Sequence, residues 1–273
     1  AMPESCKTKY PIVLVHGAGF RDFKRPIYWG RIPDALIRRG ADIFYGQQDA
    51  WGTTESNARA LARRIDEILA ETGAEKVNII AHSKGGLDAR MAASSLGYGD
   101  KIASITTIAT PHRGMKWVDR LLGLPKGLLY AVAFIANGSM KLLGDKRPDF
   151  LKVYEGFTTA CMEKFNRENP DAPGVFYQSF ACEMKNPHSA FHSTFANFFI
   201  SRIEGRNDGV VPVWSALWGE NACVLRSATS RGISHYDAVD LRRKPFSRKP
   251  GAGIRDICDV YVDIVKGLKE RGF

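Results

Sequence analysis

The chain predicts an α/β protein built on a mostly parallel, doubly wound sheet, and three observations lead there. Short runs of almost continuous apolar residues recur at 11–15 (Pro-Ile-Val-Leu-Val), 77–81 and 102–109. Amphipathic helical stripes separate them. Tight-turn chemistry follows each run: His16-Gly17-Ala18-Gly19, Ser83-Lys84-Gly85-Gly86 and Thr110-Pro111. Strands that are apolar on both faces must be covered on both faces, and helices alternating with them supply the cover.

The first run is a buried strand ended by a glycine-rich loop. Residues 55–72 place Ala58, Leu61, Ala62, Ile65, Ile68 and Leu69 at helical spacing, with Arg59, Arg63, Arg64, Asp66 and Glu67 opposite. Thr53 or Thr54 is available as its cap, and Gly73 ends it. Residues 77–81 form a second strand, 87–95 a second helix and 102–109 a third strand. The alternation then breaks. Residues 115–173 are too long for a loop and contain no strand pattern. Within them 121–143 is apolar on more than one face, and 149–168 repeats Phe150, Val153, Tyr154, Phe157, Cys161 and Phe165 as a one-sided stripe. Strand patterns resume at 175–181, 200–203 and 223–225, and residues 254–268 close the chain as an amphipathic helix. The expected organisation is a core in two halves, 1–114 and 174–273, around a helical lid or cap insertion at 115–173.

Composition narrows the classes. Of 273 residues, 44% are hydrophobic and 25% charged, so the chain can bury a core and is not wholly disordered. The longest apolar run, residues 128–136, falls well short of the ~18 residues a membrane span requires. Five dispersed cysteines with no CxxC pair suggest buried or free thiols rather than a zinc ribbon or disulfide scaffold. The formal charge of +10 is spread along the chain, densest at Arg242, Arg243, Lys244, Arg248 and Lys249, with no interleaved aromatic beyond Phe246. A solvated basic surface explains it better than nucleic-acid binding, with attraction to an anionic interface as the alternative. Residues 1–5 contain no signal-peptide pattern, which leaves a cytoplasmic protein or one secreted after processing.

The sharpest motif is Ala81-His82-Ser83-Lys84-Gly85-Gly86, between a predicted strand and a predicted helix. It matches the nucleophile elbow G-x-S-x-G except that Ala81 replaces the first glycine. Serine on a strained strand-to-helix turn presents its Oγ above the sheet, small neighbours let the turn close, and the helix aims its free N–H groups at the site. A serine hydroxyl needs a base, and His235 lies in a loop after the last predicted strand. His16, His82 and His112 belong to loop motifs. His188 and His192 have i, i+4 spacing but no HExxH arrangement, which argues against zinc. For the acid, Asp208 sits in Asn207-Asp208-Gly209, strong turn chemistry after the run at 200–203. Glu204 and Asp237 compete, although Asp237 is too close to His235 in sequence to reach that imidazole's far nitrogen.

These blocks resemble the α/β-hydrolase fold and, within it, the bacterial triacylglycerol lipase/esterase family. The residues that carry the resemblance are Tyr10 through Gly17, Val77 through Gly86, Ile108-Ala109-Thr110-Pro111-His112-Arg113-Gly114, and Asn207 through Pro212, together with His235. The resemblance implies a serine carboxylic-ester hydrolase with Ser83 as nucleophile, His235 as base and Asp208 as acid. It also implies an oxyanion hole made by the backbone N–H groups of Ala18 and Lys84. The Lys84 side chain is expected to be solvated. No organic cofactor is implied. Some related lipases tie down the histidine loop with calcium, for which Asp237 is the matching ligand. The expected partner is an acyl ester or lipid, met at a lipid–water interface. A thioesterase or amidase on the same fold, or a non-catalytic binding module, are the alternatives.

Overall fold

The computed structural model describes residues 4–19, 28–142, 148–185 and 194–273. Six strands form one sheet: β1 (Ile12–Val15), β2 (Ile43–Tyr45), β3 (Val77–His82), β4 (Ile102–Ile108), β5 (Phe176–Cys182) and β6 (Ala222–Leu225). Their order is β2-β1-β3-β4-β5-β6, and every neighbouring pair is parallel. Successive side chains of a strand point to opposite faces, and the two core layers follow that rule. Ile12 and Leu14 of β1, with Ile80 and Ile108, pack toward α1 (Ile32–Ile37) and α10 (Ile257–Glu270). Val13 and Val15, with Ile79, Ala81 and Ile105, pack toward α2 (Thr54–Thr72) and α3 (Gly85–Ala93). The sheet is therefore doubly wound.

Local signals set the helix ends. Thr53 caps α2 by accepting the Ser56 N–H, and Gly73 ends it at φ +68°. Between β4 and β5 lie α4 (Lys116–Leu122), α5 (Lys126–Leu142), α6 (Phe150–Glu155) and α7 (Thr159–Glu168). The single stripe expected over 149–168 is two helices, because α6 ends at Gly156 and Thr158 starts a new one by accepting the Cys161 N–H.

The run at 200–203 is not a strand. It is the last turn of α8 (Thr194–Glu204), which α9 (Val213–Ala216) follows. A short apolar run carries no periodicity long enough to separate helix from strand, and here Ile200 and Glu204, four residues apart, share the buried face. The three residues of β2 are half-buried at the sheet edge and too short to show a pattern. All five cysteines are unpaired, with Cys6, Cys182 and Cys258 buried and Cys161 and Cys223 exposed. No helix among the described residues is long and apolar enough to cross a membrane.

One buried cation ties the helices after β4 to the sheet. Arg90 of α3 is only 1% exposed. Its guanidinium donates to Asn166 Oδ1 (2.8 Å) and to the Asn169 carbonyl (3.2 Å), and it lies 3.8 Å from the centroid of the Trp218 ring. Burial lowers its pKa to about 10, so it stays charged at neutral pH. Arg90→Met keeps the bulk but leaves Asn166 and Asn169 without their donor. Urea unfolding should show a loss of about 2–3 kcal/mol from the lowered midpoint, with the m-value unchanged.

Candidate active site

Ser83 follows β3 with φ +54°, a left-handed conformation that an L-residue holds only when its surroundings enforce it. The surroundings do so. The Ser83 N–H donates to the Ile108 carbonyl (2.9 Å), and Thr110 Oγ1 donates to the Ser83 carbonyl (2.7 Å). A Cβ on Gly85 would stand 2.5 Å from the His16 carbonyl oxygen, and one on Gly86 would stand 2.2 Å from Thr110 Oγ1. Only glycine fits at either position.

The loop after β1 presses against this elbow. A Cβ on Gly17 would meet Ser83 Cβ at 2.8 Å. His16 braces that loop: its Nδ1 lies 2.7 Å from the Gly17 carbonyl and its Nε2 lies 2.9 Å from the Gln48 carbonyl. The Gly17 N–H donates to the Tyr28 hydroxyl (2.9 Å), which is 2.5 Å from His82 Nδ1. These bonds orient the peptide that carries the Ala18 N–H. Neither that N–H nor the Lys84 N–H donates to another backbone group among the described residues. Both belong to residues packed around Ser83.

Asp208 and His235 meet across the C-terminal end of the sheet. The His235 Nδ1 is 2.8 Å from Asp208 Oδ2, and the His235 backbone N–H donates to the Asp208 carbonyl (2.8 Å). Asp208 Oδ1 accepts from the N–H groups of Val210 (2.9 Å) and Val211 (2.7 Å). An acceptor-only carboxylate on that side fixes the imidazole tautomer: Nδ1 carries the proton and Nε2 keeps its lone pair. Ser83, His235 and His82 all line one cavity of about 620 Å³, whose walls include Trp51, Met115, Trp117, Leu121, Tyr154 and Phe157. His82 packs its ring against that of His235, 4.5 Å between centroids. Burial, reinforced by His235, pushes the His82 pKa well below its usual value, so it stays neutral.

The competing acids are committed elsewhere. Glu204 accepts from the Trp117 backbone N–H (2.9 Å) and from Trp214 Nε1 (3.1 Å). Asp237 accepts from the Ser234 N–H (3.1 Å) and from Arg242 Nε (2.8 Å). With both carboxylate oxygens engaged, one of them by a protein cation, Asp237 does not fit a calcium ligand. Among the described residues, the one cluster of three metal-type ligands is Asp240, Asp256 and Cys258. The Arg31 guanidinium already bridges its two carboxylates. His188 and His192 lie outside the described residues.

Lys84 corrects an expectation. Its side chain is not solvated but 1% exposed, and its ammonium lies 2.7 Å from Asp88 Oδ1, one turn further along α3. Asn57 Nδ2 approaches the other Asp88 oxygen at 3.4 Å. Desolvation drags the lysine pKa down and the aspartate pKa up, against the mutual attraction of the pair. Asp88 and Tyr28 were not singled out from sequence. The Lys84–Asp88 i, i+4 spacing was a usable signal, whereas nothing local marks Tyr28.

Comparisons with known proteins agree with this architecture. Residues 10–178 match the family model of the alpha/beta hydrolase fold. Triacylglycerol lipase 2 of Saccharomyces cerevisiae is 29% identical over 259 residues, covering 90% of this chain and 74% of its own length. A triacylglycerol lipase of Pseudomonas fragi is 28% identical over 305 residues, covering 99% of this chain and all of its own length (100%). Among solved structures, the metagenomic carboxyl esterase MGS0156 superposes with a TM-score of 0.71 at 17% identity, over 97% of this chain and 76% of its own. Mature Bacillus licheniformis lipase BlEst2 does so with 0.64 at 22% identity, over 88% and 89%. At those identities the structural matches speak for the fold alone. The chain belongs to the α/β-hydrolase family.

The buried ion pair beside Ser83 yields a stability test. Lys84→Met strands the Asp88 carboxylate and should cost about 3–5 kcal/mol, whereas Lys84→Met combined with Asp88→Leu should recover most of that loss. Thermal denaturation of the two variants against the parent measures both effects.

Proposed function

We propose that this α/β-hydrolase cleaves medium- and long-chain acyl esters through a Ser83 acyl-enzyme, working at a lipid–water interface. Carboxylic-ester hydrolysis of the lipase/esterase kind follows from the family and the relatives. The residue roles and the preferred acyl length are our reading of the geometry. The observation that carries it is the shared cavity: the elbow serine and the Asp208-bound histidine open onto a single apolar chamber.

In this mechanism Ser83 Oγ attacks the ester carbonyl carbon while His235 Nε2 takes its proton. Asp208, held by two backbone N–H groups, stabilises the imidazolium that forms. The carbonyl oxygen becomes an oxyanion facing the Ala18 and Lys84 N–H groups, each such donor contributing roughly 3 kcal/mol to the barrier reduction. The tetrahedral intermediate then expels the alcohol, which leaves with the His235 proton. Water, deprotonated by the same histidine, attacks the acyl-enzyme, releases the carboxylic acid and restores Ser83.

The helices after β4 supply the acyl wall. Met115, Trp117, Leu121, Leu124, Tyr154 and Phe157 face the cavity, and each CH₂ buried there would gain about 0.8 kcal/mol. Leu128, Tyr130, Phe134 and Leu142 of α5 are exposed, as is Phe198 of α8, whose neighbour Phe199 is exposed in part and lines the cavity. The side chains of Val132, Ile135 and Met140 lie outside the described residues. Exposed apolar residues of this kind favour contact with an apolar phase.

The charges around them favour an anionic one. Lys116, Arg120, Lys126 and Lys141 are exposed. Two of the acids nearby are engaged internally: Asp119 accepts from the Thr159 N–H (3.0 Å) and hydroxyl (2.8 Å), and Glu204 from the two tryptophans already described.

Ser83→Ala should lower kcat for aryl esters by a factor on the order of 10⁶ while leaving the far-UV spectrum and melting temperature near those of the parent. Rates across 4-nitrophenyl esters from acetyl to palmitoyl, repeated with emulsified triglyceride, should rise beyond butyryl and include the emulsion. Turnover confined to acetyl and butyryl esters would overturn the long-chain reading. In sedimentation with vesicles, the Ser83→Ala protein should bind phosphatidylcholine containing phosphatidylglycerol more tightly than phosphatidylcholine alone, and added salt should abolish the difference.

A further inference from the structure

His235 sits on a long connection between β6 and α10 that contains only a short 3₁₀ turn, Asp237–Val239. A catalytic base must nevertheless be held to within ~0.5 Å of its working position. Upstream of His235 the holding is by backbone: the Ile233 N–H donates to the Glu183 carbonyl and the His235 N–H to the Asp208 carbonyl, both at 2.8 Å. Downstream it is by charge. Ser234 and Asp237 close a reciprocal turn, with Asp237 Oδ2 accepting the Ser234 N–H and Ser234 Oγ accepting the Asp237 N–H, each at 3.1 Å. The remaining oxygen of Asp237 accepts Arg242 Nε at 2.8 Å.

Three residues further on, Asp240 takes a left-handed conformation, φ +59°. Its carboxylate accepts Arg31 Nε (2.9 Å), an Arg31 terminal nitrogen (2.7 Å) and the Arg31 backbone N–H (2.8 Å). The same guanidinium makes two bonds of 2.9 Å to Asp256, the residue that caps α10. Both loop carboxylates are nearly buried, Asp237 at 8% and Asp240 at 3% exposure, so each requires a counter-charge. Gly30, next to Arg31, has no room for a Cβ, which would stand 2.4 Å from the Asp240 carbonyl oxygen, so the approach of the two loops is built into the chain.

We propose that Arg242 and Arg31 are positioning residues for the catalytic base, and that they fill with protein guanidinium groups the cation role that a calcium ion would otherwise have in the histidine loop. Arg242 closes the turn immediately after His235. Arg31 locks that turn to the segment after Tyr28, which braces the oxyanion side, and to the start of the last helix. The inference rests on His235 as base, and it makes the loop independent of divalent metal.

Two readouts on the full-length protein test it, one of which does not need turnover. Hydrogen-exchange mass spectrometry over residues 232–243 should show exchange about tenfold faster or more in Arg242→Ala than in the parent, the expected loss for a hydrogen bond to a charged group. Treating the parent with EDTA or with added calcium should change nothing. On aryl esters, kcat of Arg242→Ala should fall about tenfold with KM within about twofold of the parent. Arg242→Lys should recover part of the loss, and tens of millimolar guanidinium chloride should partly restore Arg242→Ala while leaving the parent unaffected. Unchanged exchange and kcat in Arg242→Ala would overturn the proposal. So would a parent whose loop loosens with EDTA and tightens again with calcium. An inactive parent would instead defeat the esterase reading, while the exchange measurement still decides the clamp. Should Arg242→Ala not fold, Arg242→Gln, which keeps length and loses charge, answers the same question.

Discussion

The site depends on one steric constraint: the turn after β3 and the loop after β1 approach so closely that neither leaves room for a Cβ at the contact. Gly17 and Gly85 mark the two points of closest approach, Gly86 packs as tightly against Thr110 beyond β4, and Ser83 is held in a left-handed conformation among them. Strain of this kind typically costs 1–3 kcal/mol and persists only where packing over-determines it. The return is geometric, since the serine and the two N–H groups flanking its cavity are set by backbone rather than by side-chain rotamers. The same constraint explains why Ala81 is tolerated where the motif usually has glycine. Position 81 is an ordinary β3 residue whose methyl packs in the layer toward α2 and α3, away from the pinch.

Much of the fold was legible because its strands are buried on both faces. Residues 11–15, 77–81 and 102–109 have no polar alternation to confuse with a surface strand, and α2 shows both its stripe and its caps. The errors share a cause. Where the signal is shorter than a period, as at 200–203 and at β2, composition cannot separate helix from strand. The split of 149–168 into two helices turns on the cap at Thr158, a local hydrogen bond competing with a continuous apolar stripe.

For the candidate site, the residues named from motifs converge: Ser83 with Ala18 and Lys84, and Asp208 with His235. What stayed hidden are the side chains that act on these from elsewhere in the sequence. Tyr28 reaches the Gly17 N–H and His82, and Arg31 reaches Asp240 across 209 residues of chain. Long-range polar pairs leave no periodic trace. The Lys84 side chain was misjudged for a related reason. Lysine is mostly exposed, and only the closed elbow above it shows that this one is buried and therefore paired.

The dispersion of these groups along the chain has a consequence for biosynthesis. The central strands β1, β3 and β4 and the turn at Ser83 all precede Asp208 and His235 in the chain, so the strands that shape that turn are synthesised before the pair. Asp208 and His235 come later, and the turn beyond His235 is tied through Arg31 to Asp256 at the start of α10. A chain that has emerged only as far as β4 thus has the turn at Ser83 without the Asp208–His235 pair. The cavity that Ser83 and His235 line therefore closes only once the segment after β6 has docked.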